Sequence, residues 1–326
     1  MKIIGLGEVM MRLSNPLDIS LNRSQDLKIY FGGGEYNTLV NLSGLGYETE
    51  MVTLLPNNVL SERIQKEAQA YGVGMKHVGY TDGRLGTYYA ILGDALTATA
   101  VIYDRANSCF AQSKELDYNF EEIFKDAELF HVSGITAALT ENTRSMTLST
   151  IKKAKSMGLK VSYDSNYRAK LWSQTEAGTF LKEVLAYVDY AFLGLLDMKY
   201  LLNMKLEDLD EGYAQLKSSY PQIQYLASTN RQVITPYQHE LSVNIYDSNL
   251  YQTEKVKLPV LDRIGGGDVF TAGILDGILS GKSKKEIAHF ALADTMIKHS
   301  RLGDNCFISR REVESVMQGA SLAIER

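Results

Sequence analysis

A chain of 326 residues with 45% hydrophobic and 22% charged side chains can bury a large core, which excludes a disordered or low-complexity protein. Its net charge of −5 and the absence of any long Lys/Arg run argue against a nucleic-acid partner, and no stretch of about 18 apolar residues offers a membrane span. Only Cys109 and Cys306 are present, without metal-ligand spacing, so neither a disulfide framework nor a zinc site is expected; with no signal-peptide core at the N-terminus, the expected location is cytoplasmic.

Residues 2–13 carry Ile3, Ile4, Leu6, Val9, Met11 and Leu13 in loose alternation and predict a buried first strand. After a polar interlude, Gly32-Gly33-Gly34-Glu35-Tyr36-Asn37 opens an apolar helical pattern at Leu39, Val40, Leu42 and Leu45 that stops at Gly46. This glycine turn is no Walker P-loop, because G-x-x-x-x-G-K-[ST] is absent. A strand over 50–56, a helix over 60–70 and a short strand over 74–78 then give a βαβ rhythm. Between 80 and 110 that rhythm breaks into two β-rich runs, 86–92 and 97–104, with no helix between them. Together with the interlude over 14–31 they predict a small β-sheet lid. So few strands are not stable alone, and Tyr88, Ile91, Val101 and Ile102 would lie exposed, so a homodimer or an assembly of dimers pairing lid with lid is expected.

From 116 onward helices and strands alternate again: strand 129–135, helix 142–157, strand 159–164, strand 190–194 and strand 223–229. The fold class expected is α/β, a doubly wound, mostly parallel sheet with helices on both faces, plus the lid. Residues 232–257, bounded by turn signals, predict an antiparallel excursion at the sheet edge. Side chains just past strand ends face the ligand crevice of such sheets, which puts weight on Arg168, whose guanidinium can hold a carboxylate or a phosphoryl group.

The strongest single stretch is Asp262-Arg263-Ile264-Gly265-Gly266-Gly267-Asp268, which runs directly into an apolar helix expected over 268–279. Glycines there let backbone N–H groups approach an anion, and the helix N-terminus adds partial positive charge. Asp268 in the first turn can take a hydroxyl proton as that oxygen attacks a phosphoryl group, while the amides of Gly265, Gly266 and Gly267 stabilise the charge transferred. Helices over 284–300 and 310–317 close the chain, and His289 and His299 are read as packing or surface residues.

Residues 262–273 resemble the C-terminal signature of the ribokinase-like (PfkB) carbohydrate kinases, D-x-x-G-A-G-D-x-F, with Gly266 in place of the usual Ala. The loss of that methyl is expected to leave the anion hole intact. The likeness extends to Gly33-Gly34-Glu35-Tyr36-Asn37, to Tyr103-Asp104-Arg105 and to Asp164-Ser165-Asn166-Tyr167-Arg168, and is greatest to the 2-keto-3-deoxygluconate kinase branch. The resemblance implies a sugar site made by Gly33, Gly34, Asn37, Tyr89, Tyr103, Arg105, Arg168 and Asp304. It also implies ATP and Mg²⁺ as cofactors, with Asn166, Arg168, Asp197, Ser228, Gly265 and Gly267 toward the nucleotide. The implied reaction is ATP-dependent phosphorylation of 2-keto-3-deoxygluconate to its 6-phosphate. Two departures are present. Gly194 and Asp197 stand where many relatives have N-x-x-E, and Asn230-Arg231-Gln232 carries none of the glycines of the usual T-x-G-x-x-G turn. The alternatives are a PfkB-type kinase of fructose, ribose or a nucleoside, and a sugar-binding regulator that transfers nothing.

Overall fold

The computed structural model describes residues 1–17, 19–93 and 97–319; of the segments expected in the lid, residues 18 and 94–96 lie outside these. The single strand expected at the start is two, β1 (Lys2–Leu6) and β2 (Met10–Ser14), because at Glu8 the chain leaves the large sheet for the small one. Apolar alternation continues across that break, so hydropathy alone does not reveal it. Next come β3 (Lys28–Gly32), α1 (Gly34–Gly44), β4 (Glu48–Pro56), α2 (Val59–Ala70), β5 (Val73–Gly74), β6 (Val78–Thr81), β7 (Thr87–Ile91) and β8 (Ala100–Asp104). The middle of the chain supplies α3 (Phe120–Phe124), β9 (Leu129–Ser133), α4 (Gly134–Ala138), α5 (Glu141–Ser156), β10 (Lys160–Asp164), α6 (Gln174–Leu185), β11 (Tyr190–Phe192), α7 (Leu195–Tyr200) and α8 (Leu209–Ser219). It ends with β12 (Tyr225–Thr235), β13 (Gln238–Tyr246), β14 (Leu250–Gln252), β15 (Val256–Pro259), α9 (Gly266–Leu279), α10 (Lys284–His299) and α11 (Arg310–Met317).

The large sheet runs β14-β13-β12-β11-β10-β9-β1-β4-β5, with β6 on β4 and β15 on β13. Pairing is parallel from β5 to β12 and antiparallel beyond, at the edge where the excursion was expected. Successive side chains of a strand leave opposite faces. Ile3 and its partner Leu129 therefore enter the core under α1, α2, α9 and α10, whereas Ile4 and its partner Phe130 enter the core under α3 to α8. Parallel strands buried on both faces leave their C-terminal ends as the place where loops can form a site.

The small sheet has the order β3-β2-β7-β8. Its inner face carries Arg12, Tyr88 and Tyr103 in register, and its outer face Leu13, Ile29, Tyr89 and Ile102. This corrects the expected set of exposed positions. Tyr88 is buried and Val101 is half-buried on the cavity side, whereas Ile102 is 56% exposed and Ile29 40%.

Candidate active site

Beyond the ends of β9 and β10, and under the lid, lies a cavity of about 830 Å³. Two helix starts meet in it. Gly33 precedes α1, and Gly265, in the left-handed region at φ 82°, precedes α9; a side chain there would also collide with the Asp304 carbonyl. Asp268 is the third residue of α9, and its Oδ2 accepts a 2.6 Å hydrogen bond from Asn37 Nδ2 on α1. Thr38 Oγ1 reaches the Asp268 carbonyl at 3.2 Å, so α1 grips both the side chain and the backbone of the acid. A Cβ on Gly34 would stand 3.6 Å from Asp268 Oδ1 and 3.7 Å from Asn166 Nδ2, so a bare backbone faces the acid.

The electrostatics set Asp268 apart from an ordinary surface acid. Burial pushes its carboxyl up to about 7, against the Asn37 hydrogen bond and the charge of Arg168, which pull it down. Burial, and then the neighbouring Asp268, push Asp164 up to about 8. Of the glycine amides, that of Gly266 donates to the Arg263 carbonyl at 3.1 Å, while those of Gly265 and Gly267 have no partner among the described residues. Gly266 thus differs from the other two in already having a backbone partner. A Cβ at Gly266 would lie 2.6 Å from His299 Cε1, so a methyl here would have to displace the imidazole packed on it. His299, expected as a packing or surface residue, is buried and also lines the cavity.

Gly33, Gly34, Asn37, Tyr103, Arg105, Asn166, Arg168, Gly265, Gly266, Gly267, Asp268 and Asp304 all line this one cavity. Three expected residues do not. Strand alternation turns Tyr89 to the outer face of the lid, and Tyr88 takes the inner position, hydrogen-bonded to Asp304. Asp197 accepts from Ser165 Oγ at 3.0 Å and from the Gly194 N–H at 2.8 Å, capping α7. Ser228 Oγ lies 2.8 Å from the Tyr213 hydroxyl and 3.3 Å from Asn244 Nδ2. Asp197 and Ser228 are thus occupied outside the cavity lining.

Several charges were missed in the sequence. Glu8, at the crossing between sheets, binds Arg105 through Nε at 2.8 Å and through Nη2, so this guanidinium enters the cavity already matched by an acid. Arg12 is fully buried between Asp262, at 2.6 Å, and Asp304, at 3.2 Å, and joins the lid to the segment leading into α9. Glu35 is buried near Asn37 and accepts from the Ser133 N–H, Ser133 Oγ and Thr136 Oγ1 at 2.7–2.8 Å; burial still raises its pKa. Only Glu35 had a signal, since it sits inside the glycine motif.

A profile of the pfkB family carbohydrate kinases matches residues 2–306. The chain is 28% identical to a 2-dehydro-3-deoxygalactonokinase of Haloferax volcanii over 325 residues, covering 100% of this chain and 99% of that one. It is also 28% identical to a 2-dehydro-3-deoxygluconokinase of Dickeya dadantii, over 87% of this chain and 89% of the relative. Among solved structures, a PfkB family carbohydrate kinase from Listeria grayi superposes with TM-score 0.94 at 35% identity, covering 98% of this chain and 100% of that one. A 2-dehydro-3-deoxygluconokinase from Thermotoga maritima superposes with TM-score 0.93 at 30% identity, with the same coverage. A likeness that runs the whole length, through glycine loop, acid and lid, leaves one conclusion: the chain belongs to the pfkB family of carbohydrate kinases.

Proposed function

We propose that this protein transfers a phosphoryl group from ATP to the 6-hydroxyl of 2-keto-3-deoxygluconate. The observation that carries the reading is Asp268, an acid tuned by burial to about 7 and fixed by Asn37 at a helix start with free amides beside it. Asp268 takes the proton as the sugar oxygen bonds to phosphorus and the bond to the ADP oxygen breaks. The Gly265 and Gly267 amides and the α9 N-terminus stabilise the charge on the moving group. Support for an acid sugar comes from Arg168, which bonds only the Asn166 and Tyr167 carbonyls, from the Nη1 of Arg105, and from the names of the relatives. Mg²⁺ would neutralise the phosphates. Substrate phosphates with one or two carboxylates would hold the ion, and Asp164, an acid of the cavity lining, is the carboxylate proposed for it.

An ADP-coupled assay over a panel tests this: 2-keto-3-deoxygluconate, its galactonate epimer, fructose, ribose and a nucleoside. The reading expects the acid sugars to lead in kcat/KM; equal or faster turnover of a neutral sugar would overturn it.

The outer face of the lid, with Leu13, Ile29, Tyr89 and Ile102, supports a homodimer in which two lids pack face to face. On this reading Tyr89 serves assembly rather than the sugar. Sedimentation of wild type and Ile102→Glu checks it: a wild-type monomer at assay concentration removes the proposal.

A further inference from the structure

Two arginines of the cavity have no counter-charge. Arg231 projects from β12 and Arg263 lies two residues before Gly265; both line the cavity, and neither makes an ion pair or side-chain hydrogen bond among the described residues. Burial first, and then the like charge of Arg263, disfavour the charged form of Arg231, and no acid counters them. The nearby imidazoles add no further positive charge. His299 is held by the Thr295 carbonyl at 2.7 Å, its ring centroid 6.2 Å from that of His239, and burial lowers both pKa values. Both side chains keep contact with solvent, and two like charges set side by side without an acid make this stretch of the cavity wall a place for an anionic ligand.

Position and charge identify that ligand. The lid is fed by β1 and the sheet continues β1-β9-β10-β11-β12, so Arg231 enters from a strand four places away from the lid's root. Arg263 flanks the glycine amides that face the transferred group. The segment after Ser228 also lacks the glycines whose amides hold nucleotide phosphates in the usual T-x-G-x-x-G turn. We propose that Arg231 and Arg263 form a two-cation clamp for the phosphates of the nucleotide donor, replacing that glycine turn with side-chain charge. A triphosphate chain carries several negative charges and can engage both forks, whereas a sugar acid offers a single carboxylate. The proposal rests on the kinase reading above, but its test does not need turnover.

Isothermal titration with ADP, and separately with inorganic tripolyphosphate, on wild type, Arg231→Gln and Arg263→Gln reads the clamp directly. Each variant should weaken ADP and tripolyphosphate by about 10- to 100-fold and leave the affinity for 2-keto-3-deoxygluconate within about threefold. Arg→Lys at either site should recover part of the loss, and wild-type ADP affinity should fall steeply as salt rises, a readout that needs no variant. Unchanged ADP affinity in both variants, a salt-independent wild type, or a loss of sugar affinity as large as that of ADP would overturn the clamp. Wild type that binds ADP through these arginines yet phosphorylates no acid sugar would instead remove the substrate reading and leave the clamp standing.

Discussion

Replacing Asp268 by asparagine removes a proton acceptor while keeping the side chain's size. The new carboxamide can still present an oxygen to Asn37 Nδ2, so the 2.6 Å contact between α1 and α9 has a successor and binding of sugar and ATP should change little. The general base is worth about 10²–10⁴ in kcat, the loss expected above neutrality. The elevated pKa makes the effect depend on pH. With Asp268 titrating at about 7, roughly nine-tenths of the wild type is ionised at about pH 8 and roughly one-tenth at about pH 6. The wild-type to D268N ratio should therefore shrink by about tenfold across that interval, as the wild type loses its base by protonation. An ADP-coupled assay with sugar well below its KM, buffered across this range, reads both quantities as kcat/KM, whose pH dependence follows the free enzyme. A D268N enzyme within about tenfold of wild type above neutrality, or a ratio that does not move with pH, would refute the assignment of the base.

Gly266→Ala should cost about 1–3 kcal/mol in urea unfolding, because its methyl meets the His299 ring that Thr295 holds in place, and His299→Ala in the same chain should recover most of it. Arg168→Ala should raise KM for the acid sugar about tenfold or more without changing Tm, since this side chain bonds only to carbonyls of its own turn. Arg105→Ala, in contrast, should lower stability by about 3–5 kcal/mol, because Glu8 stays buried without its partner; equal Tm for the two variants would contradict the distinction. Asp294 on α10 is fully buried, with one oxygen bonded by Asn41 and the other unpartnered, and burial raises its pKa to about 8. The folded state favours its protonated form, so its stabilisation is complete below the ordinary carboxyl pKa of about 4 and is lost as pH rises through about 8. Asp294→Asn should accordingly gain Tm over wild type as pH is raised from about 6 to about 9, and parallel Tm curves would count against a buried carboxyl.

Local rules carried much of the architecture. Gly158 and Gly46 end helices where the chain shows they should, and the glycine-to-apolar transitions at Gly33 and Gly265 place both helix starts that meet at Asp268. Residues contributed by pairing between distant strands were not legible. Tyr88 and Tyr89 differ only in which face of β7 they occupy, a matter settled by its register with β2 and β8. Glu8 and Arg12 read as interruptions in an apolar strand, yet each finds its partner about 100 residues or more away, Arg105 in one case and Asp262 and Asp304 in the other. Gly266 was legible as a lost methyl, but the ring that a methyl would meet, that of His299, lies on another helix.

The central claim is that Asp268 activates the 6-hydroxyl of an acid sugar toward ATP. Phosphorus NMR of a reaction containing wild type, ATP, Mg²⁺ and 2-keto-3-deoxygluconate tests it most directly. The account predicts one new phosphomonoester resonance coupled to the C6 protons, growing in step with ADP and absent with D268N. ADP accompanied only by inorganic phosphate, or a phosphoryl group on any other oxygen of the sugar, would contradict it.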